Sequence, residues 1–168
     1  VEGSFGFAYR PTTGDRFNGL AKYTYLYDLP GADQVSVDGT TSGPAQRSHI
    51  ASIDGSYDLT NKLTLGAKYG VRIGESRDRA TGSEWESAIA QLGILRADFH
   101  IVHQWDALLE ARALWATETG TIDYGALAAV YRHLGDNMKL GVGYNFGIFS
   151  DDLRDLVHDD QGVFINLI

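Results

Sequence analysis

The chain has no cysteine, which excludes a disulfide framework, a thiolate metal site and a cysteine nucleophile. Proline is scarce, 3 residues of 168 against 20 glycines, so this is no proline-rich linker. A 43% hydrophobic content excludes intrinsic disorder. Basic residues are outnumbered, 14 against 22 acidic ones, for a net charge of −8. A general nucleic-acid binder carries the opposite balance, so no nucleic-acid partner is expected. No apolar run approaches the roughly 18–20 residues that a membrane helix needs. Catalytic signatures are missing too, with neither Gly-x-Ser-x-Gly nor His-Glu-x-x-His. The length fits one domain, residues 1–168.

What the chain does have is alternation. Nine segments read as strands: Gly3–Arg10, Phe17–Leu29, Ser48–Leu59, Leu63–Ile73, Ser87–Val102, Trp105–Ala116, Tyr124–His133, Met138–Ile148 and Gln161–Ile168. In the fourth, Leu63, Leu65, Ala67, Tyr69, Val71 and Ile73 alternate with Thr64, Gly66, Lys68, Gly70 and Arg72. In the eighth, Met138, Leu140, Val142, Tyr144, Phe146 and Ile148 alternate with Lys139, Gly141, Gly143, Asn145 and Gly147. Period two is the strand signature. Gly141-x-Gly143 has no following helix and is no nucleotide fingerprint; on a strand such glycines relieve crowding.

The connections alternate as well. Residues 11–16, 60–62, 103–104 and 134–137 are short; 30–47, 74–86, 117–123 and 149–160 are longer. That is an up-and-down meander whose two ends face different surroundings, as in outer-membrane barrels with short periplasmic turns and longer external loops. Each segment has about the 9–11 residues that cross a bilayer at a tilt. Aromatics gather at strand ends: Tyr9, Tyr57, Trp105 and Tyr131 toward the short turns, Tyr25, Tyr27, Trp115 and Phe146 toward the long loops. Such girdles mark lipid–water interfaces. The expected fold is an all-β, antiparallel up-and-down transmembrane β-barrel; a soluble sandwich or lipocalin-like barrel is the alternative.

On that reading Leu65, Tyr69, Leu109, Leu140, Val142 and Tyr144 face lipid. Arg10, Lys22, Asp54, Lys68, Arg72, Arg96, Asp98, Glu110, Arg112, Arg132 and Lys139 line the lumen. Bases outnumber acids in that set. It reads either as an anion-preferring pore lining or as an internal salt-bridge network filling a narrow barrel. Arg96, Asp98, Glu110 and Arg112, on adjacent strands, are the best candidates for pairing.

The run Leu140-Gly141-Val142-Gly143-Tyr144-Asn145-Phe146, then Phe149-Ser150-Asp151-Asp152-Leu153, then Asp159-Asp160-Gln161-Gly162-Val163-Phe164-Ile165-Asn166, resembles the C-terminal end of large proteobacterial outer-membrane and surface proteins. So do Tyr9-Arg10-Pro11, Lys22-Tyr23-Thr24-Tyr25-Leu26 and Ala128-Ala129-Val130-Tyr131-Arg132. The resemblance covers almost the whole chain. It implies an integral barrel in the Gram-negative outer membrane, at the end of a longer polypeptide and surrounded by outer-membrane lipid. It brings no catalytic motif and no cofactor. Barrels of this kind usually finish on an aromatic residue, whereas this sequence stops at Ile168. Nine strands is also an odd number where bacterial barrels are even. The expectation is part of a barrel of ten or more strands, the rest lying upstream or on other subunits. Its role would be a membrane anchor or pore module of a larger surface or transport assembly, with a porin-like, anion-preferring channel as the alternative.

Two further chemistries have candidate residues. Asp151, Asp152, Asp155, Asp159 and Asp160 cluster in one loop, and clustered carboxylates can hold Ca²⁺, although their spacing is not that of an EF-hand. A solvated acidic loop is the plainer reading. An outer-membrane enzyme would need a set such as Ser150 with His158 and Asp159, Ser48 with His49, or His100 with Asp98. None has a supporting motif, and no enzymatic activity is expected.

Overall fold

The computed structural model describes every residue except 14–15, 30–34, 36–38, 40–41, 103, 136–137, 148–152, 154–160 and 168. Its described elements are nine strands: β1 (Glu2–Tyr9), β2 (Phe17–Tyr27), β3 (Pro44–Thr60), β4 (Leu63–Asp78), β5 (Glu86–Val102), β6 (Trp105–Ala116), β7 (Thr121–His133), β8 (Lys139–Asn145) and β9 (Gly162–Leu167). Every pairing is antiparallel and joins sequence neighbours, giving one sheet in the order β1 to β9. The sheet is not closed: β1 and β9 are its edges.

The register sorts the side chains into two faces. One lateral row runs Thr24, Ile50, Arg72, Ala90 and Ala116; another runs Asn18, Ser56, Gly66, Arg96, Glu110, Leu127 and Asn145. Thr24, Ile50, Ala90, Leu92, Ile94, Glu110, Arg112, Ala129 and Asn145, all on this side, are buried. Among the described residues no second layer of secondary structure covers them, so the sheet itself curves around that face, which we call inner. On the opposite, outer face Phe5, Ile53, Leu95, Leu109, Tyr124 and Ile165 are all more than half exposed.

The inner face is not uniformly polar. Ile50, Ala90, Leu92 and Ile94 form an apolar cluster, with Leu26 and Leu114 packed against it. Leu153, from the connection between β8 and β9, is buried in the same cluster at 4% exposure. The signal for this was in β5, whose run Ala88-Ile89-Ala90-Gln91-Leu92-Gly93-Ile94-Leu95 is apolar on both faces.

All nine expected strands form, but their lengths differ from the expected span. β3 and β5 have 17 residues each and β9 has 6. The segment 74–86, expected as a loop, is strand at both ends: β4 runs on to Asp78 and β5 starts at Glu86, leaving 79–85 as the connection. Apolar alternation stops at Ile73, yet pairing continues because cross-strand polar contacts such as Arg47 with Glu75 replace it. Likewise β7 begins at Thr121, so the connection 117–120 is tight, with Gly120 at φ +65° supplying the left-handed turn. The two-residue turn at 61–62 is closed by the Lys62 N–H donating to Thr60 Oγ1 at 3.2 Å.

Two glycines explain how aromatic rings fit on the inner face. Tyr131 lies over Gly141, and Phe164 lies over Gly143, where a Cβ would occupy the ring's space. A Cβ at Gly143 would also stand 2.7 Å from both the Ala128 carbonyl oxygen and Ala129 Cβ. Backbone and two neighbours would have to move at once, so Gly143→Ala should cost about 1–3 kcal/mol of stability by overpacking. Denaturant unfolding of the refolded chain measures it; an unchanged midpoint would mean that Phe164 does not lie on this glycine.

Candidate functional site

The inner face concentrates the chemistry. At its centre Glu110 on β6 accepts from two guanidinium groups. Arg96 on β5 reaches Oε2 through Nε at 2.9 Å and through Nη2 at 2.8 Å. Arg112, two residues along β6, donates from Nε to Oε1. The side chains of Glu110 and Arg112 are 3% and 7% exposed. A shared carboxylate between two cations is how buried charge is tolerated. This bears out the expected pairing of Arg96, Glu110 and Arg112, whereas Asp98 joins no ion pair among the described residues.

A second junction lies at the short-turn end. Asp106 accepts from His100 Nδ1 at 2.6 Å, His133 Nε2 at 2.7 Å and Lys139 Nζ at 3.1 Å. The donors come from β5, β7 and β8, so one carboxylate ties four consecutive strands. The register between β5 and β6 sets this partnership by placing His100 opposite Asp106. His100 therefore pairs with Asp106 and not with Asp98. Among the described residues no three His, Asp or Glu side chains are placed to hold a metal ion.

At the other end Arg72 on β4 donates from Nη1 to the Leu153 carbonyl at 2.9 Å and from Nη2 to Ser48 Oγ at 3.2 Å. Leu153 is thus held on the inner face by its carbonyl as well as its side chain. At the same end opens a hollow of about 260 Å³ whose lining includes Ser48, Arg72, Glu86 and Glu118.

Among the residues expected to line a lumen, Lys22, Asp54, Lys68, Arg72, Arg96, Asp98, Glu110, Arg112 and Lys139 all fall on the inner face by register. Arg132 does not. It pairs with Trp105 and Leu140 on the outer face, its guanidinium carbon 5.5 Å from the Trp105 ring centre. The outer series of β7 runs Ile122, Tyr124, Ala126, Ala128, Val130, and Arg132 continues it. Arg10 lies just beyond β1 and is exposed. The register adds Glu2, Asp58, Glu86 and Asp123 to the inner face. Acids therefore outnumber bases there, and the expected basic excess is reversed.

Leu65, Tyr69, Leu109, Leu140, Val142 and Tyr144 all stand exposed on the outer face. Of the expected girdle, Tyr131 falls on the inner face by register, where Gly141 leaves room for its ring. Ser48 and His49 cannot act as a pair. Ser48 is buried beside Arg72, while His49 stands on the outer face with its Nδ1 2.6 Å from the Tyr23 hydroxyl. The five loop aspartates, Asp151, Asp152, Asp155, Asp159 and Asp160, and the set Ser150, His158 and Asp159 lie outside the described residues.

Fold and faces define an all-β antiparallel meander with an apolar, exposed outside and a charged, covered inside. No family model matches the chain, and neither a curated protein nor a solved structure is significantly similar to it.

Proposed function

We propose that this chain is an integral outer-membrane β-barrel, or the greater part of one, acting as the membrane anchor of a larger surface or transport assembly. One observation carries the reading: large apolar side chains stay exposed on the outer face of every strand, while the ion pairs of Glu110 and Asp106 sit on the covered inner face. Water-soluble monomers rarely expose a contiguous apolar patch beyond a few hundred Å². Lipid reverses that preference and makes alternation of apolar-out with polar-in the stable arrangement.

The edges support a barrel larger than nine strands. With every pairing antiparallel, β1 and β9 run in the same direction. Antiparallel closure therefore takes a further strand, from the same polypeptide or from another subunit. Leu153 on the inner face favours an anchor over an open channel. A conducting form is the second reading, favoured by the charged inner face. With acids in excess such a pore should prefer cations, not anions.

Refolding the chain into detergent micelles tests the proposal. The expected result is a compact band on a detergent gel that shifts on boiling. Full solubility and a cooperative unfolding transition without detergent would overturn it in favour of a soluble β fold.

A further inference from the structure

The outer surface changes in a fixed order toward the end that carries connections 28–43 and 79–85. Along β4 the outward series is Tyr69, Val71, Ile73, then Glu75 and Arg77. Level with Ile73 stands His49, whose ring centre is 4.9 Å from that of Tyr25. One step on, Arg47 clasps Glu75 through Nε at 2.5 Å and Nη2 at 3.1 Å. Trp85, from the connection 79–85, lies against both cations: the guanidinium carbons of Arg47 and Arg77 are 4.2 and 4.6 Å from its ring centre.

Two cations share one indole, and Glu75 engages Arg47. Arg77 is exposed, and among the described residues its guanidinium has no hydrogen-bond acceptor. The neighbouring carboxylate, Asp78, alternates to the other face and accepts from the Ala80 N–H at 2.8 Å. Apolar side chains, then tyrosine and histidine, then arginine with tryptophan is the order of one lipid leaflet: acyl chain, interface, phosphate. A guanidinium presents a planar fork of N–H donors that matches two phosphate oxygens, and stacking on the indole holds that fork in place.

We propose that Arg77, braced by Trp85, binds the phosphate of a lipid headgroup in the leaflet at this end of the sheet. The proposal rests on the barrel reading above. The test uses the chain with Trp105→Phe and Trp115→Phe, so that Trp85 alone reports, refolded into phosphatidylcholine vesicles with or without phosphatidic acid.

Phosphatidic acid should shift Trp85 emission and raise the unfolding temperature. Arg77→Gln should need about tenfold more phosphatidic acid for the same response, and Arg77→Lys should restore part of it. If the double Trp variant fails to fold, the unfolding temperature of the native chain with and without Arg77→Gln gives the same reading. An unchanged response in Arg77→Gln, with heat-modifiable migration intact, would overturn the site and leave the barrel standing. So would an equal response to inorganic phosphate, which would assign Arg77 to soluble anions. A chain that enters no vesicle overturns both proposals.

Discussion

Glu110→Ala should destabilise the folded chain by about 3–5 kcal/mol, the loss expected when one partner of a buried ion pair is removed. The carboxylate accepts from Arg96 and Arg112, and Arg112 is buried with it. Truncation takes away the negative charge that both guanidinium groups share and leaves a gap beside them. Glu110→Gln keeps the shape and removes only the charge. It should therefore cost nearly as much, which separates electrostatics from packing. Denaturant titration of the refolded chain is the measurement. A loss below about 1 kcal/mol would mean that these groups are hydrated like a surface pair.

Val142→Arg should cost about 2–4 kcal/mol in a bilayer, the penalty for a cation on the lipid face near the midplane. Val142 is at the middle of β8 between Val130 and Ile165, with 51% of its surface exposed. That exposure makes the test discriminating. If the outer face met water, an arginine at a half-exposed site would change stability by no more than about 0.5 kcal/mol. Unfolding in lipid vesicles reads the difference directly, and a neutral result would assign the outer face to water.

The strands and the faces were legible because alternation depends on local geometry alone. Leu63–Ile73 and Met138–Ile148 announce their two faces without help from the rest of the chain. Strand ends were legible only where apolar residues continued. Past Ile73, β4 is held by Arg47 and Glu75, a pairing that needs β3 in place and leaves no pattern in either segment alone. The charge of Arg132 suggests the inner face, whereas the alternation of its own strand sets it beside Trp105 on the outer one. The Asp106 junction draws His100, His133 and Lys139 from three other strands, so only the register could gather them. Leu153 is the extreme case: nothing near it in the sequence says that it packs against Ile50 and Leu92.

Each strand touches only the strands before and after it in the chain. Such a sheet has no step that must wait for two distant segments to meet. The entropy of closing a loop is set by single hairpins throughout. Folding can begin at any hairpin and grow outward one strand at a time. Growth in this manner ends with two free borders. Every border within the nine strands is filled by a sequence neighbour, so any strand that joins β1 or β9 at its free edge would have to be chosen by a different rule.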